Sequence, residues 1–149
     1  MRRTAGERGQ TLLEFALVAP LVLFFLLAIV DFGIAIDRRL VLDHAVREGA
    51  RFASVGGDYL TTGTPATVQQ VKNYTAAQSQ GIADANAPAG SNRSIAVCQA
   101  GSSVRVSVTY THDFVTGFTS IFDTSVGSIQ MDPKAEARIE QAIGVPPCS

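Results

Sequence analysis

Residues 8–33 of this chain read RGQTLLEFALVAPLVLFFLLAIVDFG, and the expected architecture follows from this segment. It carries no charged residue over positions 15–30, and the apolar pattern continues to Ile36 with Asp31 as its one interruption. A helix over residues 12–31 rises about 28 Å, close to the roughly 30 Å hydrocarbon thickness of a bilayer. The sequence therefore predicts a membrane-spanning helix.

One carboxylate, Glu14, stands inside the start of this apolar run. Moving an ionised side chain toward the bilayer centre costs about 2.5–3.5 kcal/mol even on insertion scales, so such a residue is a candidate for function. The alternative interpretation is that Glu14 lies at the headgroup level and extends its carboxylate into water. By the same geometry, Asp31 is predicted at the opposite interface.

Arginines flank the span on both sides, which sets its expected orientation. They are Arg2, Arg3 and Arg8 before it, and Arg38 and Arg39 after it. Glu7 is the one acid near the first group, whereas Asp37 and Asp43 accompany the second, so positive charge is in modest excess before the span. This excess predicts a cytoplasmic N-terminus and an extracytoplasmic remainder. A secretory signal cleaved at Gly33-Ile34-Ala35 is the competing interpretation. The long apolar run, the internal carboxylate and the continuation of the helical pattern disfavour it.

Beyond Ile36 the helical period continues, but the helix becomes two-sided. Small and apolar residues form a stripe predicted to be buried, and charged residues lie opposite. The stripe consists of Val41, Leu42, Ala45, Val46, Gly49, Phe52 and Ala53. Gly56 and Gly57 predict the end of the helix. Pro20 removes one backbone hydrogen bond, so a kink of the transmembrane segment is expected there.

A short second helix and a loop are predicted next. Thr64 is the expected cap, with Pro65 at the first helical position and the helix extending to about Gln80. Residues 81–93 are small, polar and turn-rich, which predicts an exposed loop.

The C-terminal part carries strand patterns. Val104, Val106, Val108 and Tyr110 alternate with polar residues, as in a strand with one buried face, and residues 94–98 are expected to pair with it. Apolar residues alternate again over 128–139, although Pro133 limits that strand to an edge or breaks it. A helix over 133–143 is an equal alternative, because the run is rich in helix formers.

Between these strands, four apolar residues are expected to supply core from a short helix or loop: Phe114, Phe118, Ile121 and Phe122. A few antiparallel strands are not stable alone, but they can pack on the buried stripe of the long helix. The predicted fold is therefore α+β, with a long N-terminal transmembrane and amphipathic helix packed on a small antiparallel β-sheet. Cys98 and Cys148 both follow the span, so an exported domain is expected to join them in a disulfide, with two free thiols as the alternative.

No enzyme signature is found in the sequence. His44 and His112 are the two histidines, and both are expected at the surface, His112 at a strand end. Neither metal-ligand spacing nor a nucleophile or phosphate-loop motif is present, so the sequence predicts no catalytic residue, no metal and no cofactor. The net charge of −1 and the lack of a Lys/Arg cluster disfavour nucleic-acid binding.

Gly9 to Phe15 (GQTLLEF), followed directly by the apolar helix, resembles the G-x-x-x-x-E processing site of type IV-like prepilins. Together with AVREGARFA over residues 45–53, the stretch from Gly9 to Gly33 resembles the TadE-like proteins, which are minor pilins of the tight-adherence (Tad/Flp) pilus system. The resemblance covers residues 9–55 and is only compositional beyond them. It implies a pilin-like fold.

The resemblance further implies that a prepilin peptidase cuts between Gly9 and Gln10. Residues 1–9 would be the cytoplasmic leader, and Glu14 would become the fifth residue of the mature chain. A carboxylate at that position can neutralise the new α-amine of Gln10, on the same or a neighbouring subunit.

In this interpretation, three segments follow the leader: the transmembrane helix 10–36, its extracytoplasmic amphipathic half 37–56, and a small α+β domain 57–149. The expected location is the cytoplasmic membrane, crossed once, with incorporation into a pilus. Expected partners are the peptidase, other Tad pilins, the membrane assembly platform and the lipid bilayer. The alternative is an uncleaved single-pass anchor that carries an extracytoplasmic binding domain.

Overall fold

The structure is a computed structural model that describes residues 5–57, 63–115, 127–140 and 144–148. The described helices and strands are α1 (Ala5–Ser54), α2 (Val68–Gln78), β1 (Ile95–Ala100), β2 (Ser103–Val108), β3 (Tyr110–Asp113), β4 (Ser128–Met131) and β5 (Lys134–Arg138). A long, largely apolar N-terminal helix and a small antiparallel sheet confirm the predicted α+β class.

The helix α1 runs for 50 residues and contains Pro20. Its end is built as the glycines predict: the amide of Gly57 donates to the carbonyl of Phe52 at 2.8 Å, and that of Gly56 donates to Ala53 at 3.1 Å. These two bonds form a Schellman motif. Gly56 and Gly57 have φ of 75° and 64°, a left-handed conformation that glycine adopts without steric cost.

The chain divides into two compact units. The first comprises residues 1–34 and 114–127, and the second comprises residues 35–113 and 128–149. In the first unit, Phe114 contacts Phe32 with ring centroids 6.1 Å apart, so Phe114 packs on α1. The other three apolar residues that were predicted to supply core from this segment, Phe118, Ile121 and Phe122, lie outside the described residues.

The second unit contains two small sheets in one continuous register. β2 pairs antiparallel with β1 on one side and β5 on the other, while β3 pairs antiparallel with β4. β3 follows β2 after one residue, and β4 precedes β5 by two, so both ladders belong to one interrupted antiparallel pair. The amide of Val108 donates to the carbonyl of Pro133 at 3.0 Å, which bridges the interruption.

Residues 134–138 are therefore strand, and the helical alternative for this run is wrong there. Alternation decides the outcome: Met131 and Pro133 are buried, Ala135 and Ala137 are half-buried, and the residues between them are exposed. Pro133 fits between β4 and β5 because a residue there needs no amide donor. The helix propensity of residues 134–138 is therefore outweighed by their pairing with β2.

The core of the second unit is formed by α1, α2 and the strands together. Leu42, Val46 and Ala53 of α1 are at most 1% exposed, and so are Val104 and Val106 of β2. The buried stripe of α1, whose residues recur every three to four positions, and the inward face of β2, whose residues alternate, thus belong to one core. Ala45 and Ala50 are also buried, whereas Val41 and Phe52 are half-buried at the edge of the stripe.

The second helix begins three residues later than the sequence suggests. Thr67, not Thr64, is its N-cap: the Thr67 hydroxyl accepts from the Gln70 amide at 3.3 Å, and the Gln70 side chain accepts from the Thr67 amide at 2.8 Å. This capping box satisfies two helix-end donors reciprocally, which a Thr64-Pro65 start does not offer. Tyr74 of α2 stacks on Phe52 with ring centroids 4.3 Å apart.

The two cysteines are joined, as predicted. The Cys98–Cys148 disulfide spans a separation of 50 residues and ties the C-terminal tail to β1. Two backbone bonds run beside it: the Gln99 amide donates to Pro146 at 2.7 Å, and the Cys148 amide donates to the Gln99 carbonyl at 2.9 Å. The tail therefore covers the outer edge of β1.

Candidate functional site

The residues that the prepilin resemblance singles out lie together near the start of α1. Gly9, Gln10 and Glu14 are all helical, and the Gln10 Nε2 amide donates to Glu14 Oε1 at 3.5 Å, one helical turn away. Residues four apart share a helix face, so the side chain of Glu14 extends back toward position 10. An ideal Cβ at Gly9 would meet nothing within 4 Å.

The helix that follows exposes most of its large apolar side chains. Leu12, Phe15 and Leu17 are 71%, 73% and 74% exposed, and Ile36 is still 58% exposed, whereas Phe24, Leu27 and Ile34 are half-buried. By length and composition α1 can cross a membrane. An apolar surface of this extent is covered by lipid or by other apolar helices.

Asp31 is buried within the protein, and its position at the membrane interface stays a prediction. Its side chain is 0% exposed, and Oδ1 accepts a hydrogen bond from the Val115 amide at 3.2 Å. Both residues belong to the first unit. A backbone donor lowers the cost of burying this carboxylate, because charge-assisted hydrogen bonds are stronger than neutral ones.

In the second unit, Arg38 meets the strand β3. Its Nη1 atom donates to the Tyr110 hydroxyl and lies 3.1 Å from Nδ1 of His112, and its guanidinium lies 5.8 Å from the centre of the Tyr110 ring. His112 is fully buried, so its predicted surface position is wrong. A guanidinium can only donate, so Nδ1 accepts and the ring is neutral with its proton on Nε2.

The signal for this cluster was present in the sequence. The inward alternation of β2 continues through Tyr110 to His112, two residues farther than the apolar pattern indicates. His112 is polar, so the apolar pattern ends before it. The alternation of side chains across the strand nevertheless continues and points His112 inward. His44, by contrast, is exposed, as expected.

The described residues contain no cluster of three or more His, Cys, Asp or Glu side chains that could hold a metal ion. The predicted sites are thus distributed along the chain. Gly9, Gln10 and Glu14 lie within two turns of α1 and Pro20 lies further along it, whereas the stripe and the disulfide belong to the second unit.

Comparison with known proteins identifies the segment that contains Gly9, Gln10 and Glu14. Residues 9–51 match the family model described as TadE-like protein. No curated protein and no solved structure gives a significant match to the chain. The N-terminal segment 9–51, from the glycine before the span to the last turn of α1, is therefore TadE-like, which indicates a Tad pilus-associated protein with an N-terminal membrane helix.

Proposed function

We propose that this chain is a minor pilin of a Tad pilus, a structural and assembly subunit rather than an enzyme. Residues 1–9 are the cytoplasmic leader removed by a prepilin peptidase, and 10–36 form a single transmembrane helix. Residues 37–56 continue this helix outside the membrane, where 57–149 form the extracytoplasmic domain. The TadE-like match over residues 9–51 supports this assignment.

The contrast between the two halves of α1 carries the proposal. From Ala35 onward one face of the helix is buried in its own domain, whereas large apolar residues between Leu12 and Ile29 are mostly more than half exposed. Helices that lack an internal partner associate through lipid-embedded packing with other helices. A pilin offers that packing in two successive environments, first the bilayer and then the filament.

Gly9 suits a peptidase site for a physical reason. It lies inside α1, and a helical glycine is about 1 kcal/mol less stable than alanine. The backbone at the Gly9–Gln10 bond therefore opens more readily than its neighbours, and no Cβ hinders the approach of an enzyme. Cleavage there leaves a positive α-amine on Gln10 at a helix N-terminus, where the helix dipole opposes positive charge.

Glu14 is placed to compensate that charge. Its carboxylate already points toward position 10, as the contact with the Gln10 side chain indicates. A negative group near a helix N-terminus is favourable, and in an apolar surrounding it offsets the cationic terminus of its own or a neighbouring subunit. The partners are accordingly the peptidase, sister pilins, the membrane assembly platform and the bilayer.

The decisive experiment is the intact mass of the membrane-extracted chain after co-expression with the cognate peptidase. We expect a chain that begins at Gln10. Gly9→Ala should retain the leader, and because an added Cβ at Gly9 meets nothing within 4 Å, this result reports on processing and not on folding. Gly6→Ala, inside the leader, is the matched control and should be processed normally.

A wild-type chain that still begins at Met1 under these conditions overturns the minor-pilin proposal. The chain would then be an uncleaved membrane anchor with an extracytoplasmic domain. A chain that begins near Ile36 would instead identify a secretory signal.

A further inference from the structure

A cavity of about 350 Å³ in the second unit is lined by two arginines from distant parts of the chain. Arg38 belongs to α1, and Arg93 belongs to the turn before β1. Asn92 and Thr111 add an amide and a hydroxyl, and Asp113 adds one carboxylate. The charged side chains of the lining are therefore two cations and one anion, with a formal sum of +1.

Neither arginine is neutralised by an ion pair within the described part of the chain. The ion pairs found there join Arg51 to Glu48 and Arg105 to Glu136, away from the cavity. Arg38 instead contacts the Tyr110 hydroxyl and the neutral His112 ring. Among the described residues, both hydrogen-bond contacts of its guanidinium use Nη1, so Nε and Nη2 can still donate.

Arg93 is held by neutral groups as well. Its Nε atom donates to the Ile82 carbonyl at 2.7 Å, and Nη2 donates to the Gly81 carbonyl. These bonds fix the guanidinium at the turn that follows α2 and leave donors on Nη1. Two immobilised guanidinium groups with spare donors thus border one polar cavity.

The ligand chemistry that fits this lining is a phosphate group. Guanidinium donors match phosphate oxygens bidentately, and a cavity of about 350 Å³ is within the range of small-molecule sites, roughly 300–1,000 Å³. Arg38 follows Ile36, the last residue of the proposed span, by two positions, which is about 3 Å along the helix axis. Phospholipid headgroups lie at that level, and arginines at span ends meet them.

We propose that this cavity binds the phosphate of an anionic phospholipid headgroup at the outer end of the span. This inference rests on the proposed membrane placement of α1, but not on cleavage or pilus assembly. A lipid bound there would fix the depth of α1 in the bilayer by a polar contact, in addition to the match between the apolar span and the hydrocarbon thickness.

The test uses the full-length, uncleaved chain in a neutral detergent, titrated with short-chain phosphatidylglycerol and followed by native mass spectrometry. We expect one tightly bound lipid, with Arg38→Gln weakening binding about tenfold, the loss typical of one charge-assisted bond. Arg39→Gln is the matched control, because Arg39 is the next residue of α1, is exposed and does not line the cavity. It should bind like wild type.

A second variant keeps the test valid if Arg38→Gln does not fold. Asn92 is exposed and lines the cavity, so Asn92→Asp adds a carboxylate to the lining without removing core. We expect about fivefold weaker binding, as for one unfavourable charge near a surface site. Gln69→Glu makes the same charge change on the exposed face of α2, lines neither this cavity nor the neighbouring one that also contains Arg93, and should have no effect.

Two comparison ligands identify the source of the phosphate. Inorganic phosphate that binds as tightly as phosphatidylglycerol would assign the cavity to a free anion and overturn the lipid proposal. Short-chain phosphatidylcholine that binds equally would overturn the preference for an anionic headgroup. No bound phosphatidylglycerol, or equal losses in Arg38→Gln and Arg39→Gln, would overturn the site itself. The processing experiment is independent of all these outcomes, because the lipid test uses the chain before cleavage.

Discussion

Two glycines of α1 serve different purposes at the scale of single residues. An ideal Cβ at Gly9 would meet nothing within 4 Å, whereas one at Gly49 would lie 2.1 Å from Oγ1 of Thr75. Thr75 is fully buried, and its hydroxyl donates to the Val71 carbonyl at 2.8 Å. Gly49, in the centre of AVREGARFA, is therefore required for the close approach of α2, while Gly9 is open to an approaching enzyme.

Gly49→Ala should destabilise the protein by about 1–3 kcal/mol, because the new methyl group overpacks a filled site. Urea unfolding of the full chain in neutral detergent, followed by tyrosine fluorescence, measures the loss. Adding Thr75→Ala removes the nearest atom and should restore part of it. Gly33→Ala in the same helix is the control, since a Cβ there meets nothing within 4 Å. Equal stability of Gly49→Ala and wild type would contradict the assigned packing.

Glu14→Gln should leave membrane insertion intact and reduce co-assembly with sister pilins severalfold. The substitution keeps the size of the side chain and removes the charge that offsets the mature α-amine. Co-purification of tagged sister pilins with the variant, normalised to its amount in the membrane, measures the effect. Glu7→Gln provides the control, because proteolysis removes that residue from the mature chain. Undiminished co-assembly of Glu14→Gln would exclude the charge-neutralising role.

At the scale of elements, capping chemistry places the ends of both helices. Gly56 and Gly57 end α1, and the Thr67–Gln70 capping box begins α2. The helix α2 has only 11 residues, too few for an isolated helix in water, so its stability depends on its cap and on contacts such as that between Tyr74 and Phe52.

Thr67→Ala should lower the free energy of unfolding by about 1 kcal/mol, the usual value of an N-cap side chain. Thr67→Ser retains the hydroxyl acceptor and should stay within a few tenths of a kcal/mol of wild type. Amide exchange in the first turn of α2 should accelerate in Thr67→Ala and not in Thr67→Ser. Identical exchange in both variants would show that the capping box does not stabilise the helix.

At the scale of the whole molecule, the second unit has a small core and an additional covalent constraint. Its sheet has three strands in one part and two in the other, and small cores of this kind commonly depend on disulfides. The Cys98–Cys148 bond closes a separation of 50 residues and holds the tail against β1. The edge of β1 is thereby kept from pairing with another chain.

Replacing both Cys98 and Cys148 by alanine should cost about 2–4 kcal/mol, in line with a bond that closes a loop of this length. Wild type treated with reductant should lose a similar amount, and the double variant should not respond to reductant. Urea unfolding with and without reductant measures both effects. A fully stable double variant would show that backbone bonds alone hold the tail in place.

Features that depend on periodicity and local chemistry could be predicted from the sequence. The long helix, its end at Gly56, the inward face of β2 and the pairing of the two cysteines all follow from hydrophobic period, turn residues and compartment. The G-x-x-x-x-E spacing beside the apolar run also identified the TadE-like segment, since that signal is contiguous in the chain.

Features that depend on distant partners could not be predicted from any one segment of the chain. Residues 134–138 became strand because β2 offered them hydrogen bonds, and the Nδ1 atom of His112 is paired with Arg38, which lies 74 residues away in the chain. The placement of Arg38 and Arg93 around one cavity likewise depends on segments that are remote in the chain. The start of α2 at Thr67 is different, because the Thr67–Gln70 capping box is a local pattern that the interpretation of Thr64 and Pro65 overlooked. The pattern of one segment indicates its own secondary structure and buried face, but it does not indicate which distant side chain will contact it.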